Sequence, residues 1–341
     1  MERSRSFTRR VDAERFKATT EADRIRGQWT DPRLGQTRFA DWCRHWHGSR
    51  IHISSTTRAR DSSMLDNHVL PAFGNLPHSA IQPTHIRSWI ADLVAAGYAA
   101  TTVRKAHQLL AAAMTAAVDD GLLPRSPAHN IRLPPPDSQE RRFLSEDQVE
   151  ALATAIDPRY RVLVLFGAYT GTRLGEMTRL GVDDLDLVRR VAHIPGTKTP
   201  TSRRTIALPP FLGDELARHL AHHGPGTEGH VFPSPGGDRL HPTNFRRRIW
   251  KPAVAASVGE PMRPHDLRHT HVALLIAAAE DPYVISQRLG HASIRTTYDI
   301  YGHLFEGRDE ATAHALEQIR RRALAGQTRD RSPGRAIELG P

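Results

Sequence analysis

Arg173, Lys198, His265, Arg268, His291 and Tyr301 form a set of cations and imidazoles that closes on a phenol. Arginine offers two N–H donors in one plane and stays charged, so Arg173 and Arg268 on either side of a phosphodiester would hold two of its oxygens. Negative charge grows as phosphorus takes on a fifth oxygen, and two guanidiniums stabilise that state more than the ground state. Tyr301 could supply the attacking oxygen. A phenol has a pKa near 10, so at neutral pH it needs a base or a positive field, which the arginines and histidines supply. Tyr298, three residues earlier on the same helical face, is an equal rival on spacing alone. Lys198, in Gly196-Thr197-Lys198-Thr199, falls at an expected turn tip from which an ammonium could protonate a leaving oxygen.

Taken singly, each member has an ordinary alternative. His265 and Arg268 share a face at a helix start behind Pro264, a spacing that also suits a structural pair. His269 and His271 lie close enough to compete with His265 for any role. Arg173 could simply pair with Glu176, three residues on, and Lys198 could be a solvated turn lysine. Arg203 and Arg204 could touch a phosphate backbone or solvate a strand. The order of the set, with Gly290-His291 ten residues before Tyr301, is what makes coincidence a poor account.

The elements that must position these residues follow from apolar periodicity. Residues 1–34 are polar and arginine-rich, with one thin helix expected from Val11 to Arg26. Residues 35–130 read as a compact domain of four helices, over Thr37 to His47, Thr57 to Val69, the stretch from Ile86 to Val94, and Thr101 to Asp119. Its basic residues Arg58, Arg60, Arg104 and Lys105 are candidates for phosphate contacts, and each is equally compatible with solvated surface. Pro134-Pro135-Pro136 stiffens a linker over 131–140. In the next domain, 141–310, Ser145 and Gln148 have the spacing of a capping box, and Arg161 to Tyr169 reads as a buried helix running into Thr170-Gly171. Strands are expected between Val182 and Leu208, turning near Thr199-Pro200-Thr201, and then helices over Phe211 to His222, Pro242 to Val258, His265 to Ala278 and Tyr283 to Gly290. Residues 311–341 hold an expected helix, Ala311 to Ala325, and a loose tail.

Size and charge fit this division. The chain has 341 residues and a formal charge of +10, and residues 1–60 hold 14 Lys/Arg against 7 Asp/Glu, a bias toward polyanionic partners. Cys43 is the only cysteine, which rules out an intrachain disulfide and a Cys-based metal site, and it reads as a buried small hydrophobe beside Trp42 and Trp46. No apolar run is long enough to cross a membrane and the start lacks a signal-peptide core, so a cytoplasmic, nucleoid-associated location and no membrane partner are expected.

Three segments together closely resemble the tyrosine recombinase family, specifically phage or mobile-element integrases. They are Thr170-Gly171-Thr172-Arg173-Leu174-Gly175-Glu176-Met177, then Pro264-His265-Asp266-Leu267-Arg268-His269-Thr270, then Arg288-Leu289-Gly290-His291 followed by Thr296 to Leu304. The resemblance implies a mainly α fold, with a SAM-like helical core-binding domain and a DNA breaking-rejoining catalytic domain of helices with a small antiparallel sheet. It implies that Arg173 and Arg268 clamp the scissile phosphate and that Tyr301, rather than Tyr298, attacks to give a 3′-phosphotyrosine and a free 5′-hydroxyl. Lys198 would be the general acid, His265 would assist proton transfer at the tyrosine, His291 would bond a phosphate oxygen, and Glu176 would brace the site. The implied partners are double-stranded DNA at attachment or crossover sites, a homotetramer on paired sites, a host bending factor and an excision-directionality factor, with no cofactor. Residues 5–34 resemble only the end of an arm-DNA-binding domain. The alternatives are a type IB topoisomerase, disfavoured by the helical domain ahead of these boxes, a non-catalytic DNA-binding accessory protein, disfavoured by the presence of every expected catalytic residue, and a chromosome-dimer-resolving recombinase, disfavoured by the arm-domain remnant and the longer spacing into Tyr301.

Overall fold

The computed structural model describes residues 6–25, 34–136, 142–196, 203–305, 313–314, 316–322 and 324. Contacts divide the chain into two compact units, 1–139 and 140–341. Among the described residues no helix is long and apolar enough to cross a membrane.

The first unit begins with α1 (Arg10–Ile25), a polar helix whose Phe16 is exposed. Then come α2 (Phe39–Ser49), α3 (Ser55–Met64), α4 (Leu70–Phe73), α5 (Pro83–Ala95) and α6 (Ala100–Asp119). Its core is where the apolar stripes meet: Phe39 and Cys43 of α2, Ile86, Trp89 and Ile90 of α5, and Val103, Leu110 and Met114 of α6. Cys43 is buried as expected, and burial pushes its thiol up to about 12, so it behaves as a hydrophobe.

The expected helix Thr57 to Val69 differs in one respect. It is wound as α3, a π-helical turn over Leu65–Val69, and α4. Pro71 follows the π-turn, and the Leu70 N–H reaches back five residues to the Leu65 carbonyl. Proline lacks the donor and its ring crowds the carbonyl four residues back, so the ladder widens just ahead of it. The expected helix Pro242 to Val258 is interrupted in the same way. There a π-turn over Arg246–Trp250 precedes Pro252, and the Lys251 N–H reaches the Arg246 carbonyl.

The second unit opens with α7 (Glu146–Ala155), closed at its start by the reciprocal Ser145/Gln148 box. Next are α8 (Arg161–Thr170) and the single turn α9 (Leu174–Met177). Strands β1 (Leu185–Asp186), β2 (Val191–Ile194) and β3 (Arg204–Ala207) form an antiparallel sheet in sequential order, with Ala192 opposite Ile206 and Ile194 opposite Arg204. Then follow α10 (Pro210–His223), α11 (Pro242–Phe245), α12 (Lys251–Ser257), α13 (Asp266–Ala277), α14 (Pro282–Leu289) and α15 (Ile294–Tyr301). The described residues between 313 and 324 are helical, with Leu316, Ile319 and Leu324 exposed.

Helix α8 is the axis of this unit. It is apolar on every side, with Val162 to Phe166 and Ala168 all buried, and it packs on α7, α10 and α13. Each such side chain contributes about 1.5–3 kcal/mol on burial, so the helices that carry the site are held by this core. Gly167 permits the close approach of α13, because a Cβ there would lie 2.8 Å from Leu267 Cδ1. Gly171 ends α8 in the left-handed conformation at φ 66°, and a Cβ there would meet His271 Cδ2 at 2.6 Å and Leu289 Cδ2 at 2.8 Å.

Gly171→Ala should therefore destabilise the second unit by about 2–4 kcal/mol, from left-handed strain together with overpacking. Urea unfolding of the full chain should show the catalytic-unit transition moving to lower denaturant. An unchanged midpoint would mean that the α8 end is more pliable than its packing indicates.

Candidate active site

Arg268 sits in the first turn of α13 and is 2% exposed. Its two terminal nitrogens donate to the Gly171 and Leu289 carbonyls, each at 2.8 Å. Those carbonyls belong to the C-terminal ends of α8 and α14, where helices leave acceptors unpaired and carry partial negative charge. A single planar guanidinium thus ties three helices. Burial and the nearby Arg173 and Arg204 charges lower its pKa to about 9, which still leaves it charged at neutral pH.

Arg173 and Glu176 do form an ion pair, at 2.8 Å, but a surface pair it is not. Glu176 is fully buried. It accepts from the Arg173 backbone N–H at 3.1 Å and from Arg204 at 3.1 Å, while Arg204 Nε donates to the Arg288 carbonyl at 2.7 Å. Burial alone would raise the Glu176 carboxyl. The Arg204 charge and the hydrogen bonds from Arg204 and Arg173 outweigh it and hold the group ionised below its ordinary range. Arg173 keeps about a third of its side chain open to solvent, so it remains available to an anion.

Tyr301 ends α15 with 1% exposure, and its hydroxyl is hydrogen-bonded to His269 Nδ1 at 2.8 Å. Tyr298 is 49% exposed and packs against Phe305, so the two tyrosines that spacing could not separate lie in different environments. His265 is the N-cap residue of α13 and stands edge-on to His269, with ring centroids 5.1 Å apart. Desolvation, then the Arg268 and Arg173 charges, lower its pKa. His291 Nδ1 is hydrogen-bonded to the Thr297 hydroxyl at 2.9 Å, and burial with the Arg268, Arg173 and Arg204 charges pushes its pKa down to about 4. Both imidazoles are thus favoured in the neutral form at pH 7.

Five of the six expected site residues share one electrostatic neighbourhood. His291 feels Arg268, Arg173 and His265, and Arg268 feels Arg173 and Tyr301. The sixth, Lys198, lies outside the described residues. Three residues take parts that their sequence context did not assign them. Arg204, a candidate for a phosphate-backbone contact or a solvated strand position, instead points inward with its side chain 7% exposed, bound to Glu176. The signal was its strand phase, two residues from the buried Ile206 and so on the same sheet face. Arg288 donates to His271 Nε2 at 3.2 Å and to the Ala207 carbonyl at 3.0 Å, and only packing brings those groups together. His269, four residues after His265, shares its helix face.

The other expected backbone contacts divide by what they touch. Arg58 donates to the His47 and Arg50 carbonyls at the end of α2, and Arg104 donates to the Pro134 carbonyl, so both are partly engaged in their own unit. Arg60 is paired with Asp61 yet largely exposed, and it lines a cleft with Arg50, Thr57, Lys105 and Gln108. Arg203 and Lys105 are exposed. Among the described residues no His/Cys/Asp/Glu group is arranged to hold a metal.

Residues 142–308 match the phage integrase family, and residues 38–94 match the N-terminal SAM-like domain of phage integrases. The chain is 30% identical to the prophage phiRv2 integrase of Mycobacterium tuberculosis, over 92% of this chain and 88% of that protein. It is 26% identical to the integrase of Mycobacterium phage FRAT1, over 91% and 98%. In fold it is similar to the Tn1549 transposon integrase in complex with circular intermediate DNA, with a TM-score of 0.66 at 18% identity over 83% of this chain and 99% of that one.

Two predictions follow from the buried charges. Glu176→Ala leaves Arg204 without its buried carboxylate and should cost about 3–5 kcal/mol in denaturant unfolding; a change within 0.5 kcal/mol would exclude the bracing role. His271, buried and held neutral by desolvation and the Arg288 charge, has its pKa lowered to about 3. For a histidine lowered on folding, the unfolded chain binds a proton that the folded chain does not, so stability is full above the ordinary histidine range and is lost as pH falls. Between about pH 6.5 and pH 4 this group alone should cost about 1.4 kcal/mol per pH unit, and His291 acts in the same direction. Urea midpoints compared at pH 7.5 and 5 test this, and a flat profile would contradict it.

Proposed function

The chain belongs to the phage integrase family and is a tyrosine-recombinase-type integrase that breaks and rejoins DNA strands, and on that premise we propose that Tyr301 is its nucleophile, working between Arg173, Arg268 and His291. The observation that carries this is the burial of the Tyr301 hydroxyl in the field of Arg268, itself immobilised on two helix ends, while Tyr298 lies outside. A rigid cation whose charge acts on the attacking residue needs no reorganisation as charge develops.

In this reading a phosphate of double-stranded DNA enters against Arg173 and Arg268. The phenolic oxygen bonds to phosphorus, the bond to the 5′ oxygen breaks, and Lys198 gives that oxygen its proton. The 3′-phosphotyrosine link conserves the bond energy, so a second 5′-hydroxyl can reverse the step on a new strand without ATP. Neutral His291 suits a hydrogen bond to a phosphate oxygen, since it adds a donor without a further buried charge. Four copies on paired sites would exchange strands through a Holliday junction, helped by a host bending factor and an excision-directionality factor. The helical segment with exposed Leu316 and Ile319 suits docking on a neighbouring subunit. Similarity over about nine-tenths of the chain to a prophage and a phage integrase supports integration or excision of a mobile element over chromosome-dimer resolution.

A nicked suicide duplex carrying the crossover site should trap a covalent complex with the wild-type chain. Tyr301→Phe should abolish trapping while DNA binding is retained, and Tyr298→Phe should trap normally. Undiminished trapping by Tyr301→Phe would overturn the assignment.

A further inference from the structure

The family resemblance gives proton transfer at the tyrosine to His265, but the hydrogen bond to the Tyr301 hydroxyl is made by His269. Both partners are buried, His269 at 7% and Tyr301 at 1% exposure, and the 2.8 Å separation lies within the reach needed for direct proton transfer. We propose that His269 is a catalytic residue of strand cleavage, its Nδ1 being the first acceptor of the Tyr301 proton. The proposal rests on the reading of Tyr301 as nucleophile.

A phenol at neutral pH is ionised in only about one molecule in a thousand, so an adjacent acceptor raises the supply of phenolate directly. For the hydroxyl to donate, His269 must be the tautomer with Nδ1 unprotonated. The step then balances. The Tyr301 O–H bond breaks and its proton goes to Nδ1, the phenolate oxygen bonds to phosphorus, and the P–O5′ bond breaks with the 5′ oxygen protonated by the general acid. In rejoining, the imidazolium returns its proton to the departing phenolate. Because a phenolate and an imidazolium form together, the buried pair changes no net charge.

The titratable and charged groups around this pair come from four places. His265 and Arg268 lie on α13 itself, with His265 edge-on to the His269 ring. Arg268 acts on Tyr301 through its charge, and Arg173 from the start of α9 adds to the field at Arg268. His291, after α14, feels Arg268 and His265, while His303 in the turn after α15 is exposed. This field stabilises the phenolate. His265, one turn earlier on α13, is exposed, while His269 is buried against the hydroxyl.

The test is single-turnover cleavage of the nicked suicide duplex by the full chain from pH 6 to pH 9.5, comparing wild type, His269→Ala, His269→Asn and Tyr301→Phe. Asparagine retains a hydrogen-bonding group but cannot accept the proton, so it serves should the alanine variant fold poorly. Both His269 variants should cleave about 10²–10⁴-fold more slowly at pH 7 with unchanged DNA affinity, and should recover toward wild type with rising pH as the phenol ionises unaided. A substrate with sulfur in place of the bridging 5′ oxygen, which leaves without a proton, should not rescue them. A deficit equal at every pH would mark His269 as structural and sink the proposal, as would rescue by the sulfur substrate or cleavage by both variants at the wild-type rate. Covalent trapping by Tyr301→Phe would instead overturn the nucleophile assignment on which the proposal rests.

Discussion

The contact on which the site depends is the Arg268 guanidinium bound to the ends of α8 and α14. Two hydrogen bonds of 2.8 Å join the first turn of α13 to carbonyls that those helices cannot satisfy themselves. The cation is stabilised by the negative ends of both helices, and the helices are stabilised by having their last acceptors paired. Both glycines at the crossing serve it. Gly167 lets α13 approach α8, and Gly171 turns the chain so that its own carbonyl faces Arg268. Lysine would not substitute, because a point charge lacks the planar fork that reaches two carbonyls at once.

Around that contact the molecule assembles an unusual excess of buried positive charge. Arg173, Arg204 and Arg268 press on one another, and Glu176 is the carboxylate that offsets them. The histidines respond by staying neutral, His291 near 4 and His271 near 3, so protons are displaced where further cations would be costly. Repulsion within such a cluster is a standing destabilisation in the free chain. An anion would relieve it, and the relief grows as the anion gains charge in a transition state, so the site is prepared in advance for a phosphoryl group in attack. The large apolar core centred on α8 is what allows the fold to carry this strain.

The first unit has a different character. Its own core of α2, α5 and α6 residues is independent of the catalytic unit's, and its polar groups mostly complete its own loops: Arg58 on the end of α2, Arg104 on Pro134. Both units use the same device before a proline, a π-turn that bends a helix without ending it, at Leu65–Val69 and Arg246–Trp250.

The sequence by itself determined where helices form, which faces they bury and which residue types were available for chemistry. Apolar periodicity, the Ser145/Gln148 box and the prolines are local signals, and local signals survive in one dimension. The order of Arg173, His265, Arg268, His291 and Tyr301 carried the family. The widening of two helices was written in Pro71 and Pro252, but only as a chance of interruption, since whether a proline breaks or bends a helix depends on what packs around it. Tertiary structure decided which tyrosine is enclosed, which histidine meets it, and whether each arginine faces solvent or a carboxylate. Tyr298 and Tyr301 have the same chemistry and adjacent turns of one helix, yet only packing among α13 and α14 residues buries the second. Arg204 and Glu176 stand 28 residues apart and His269 and Tyr301 stand 32 apart. Contacts at that separation are fixed by how α13, α14, α15 and the sheet pack on one another, which no local pattern records.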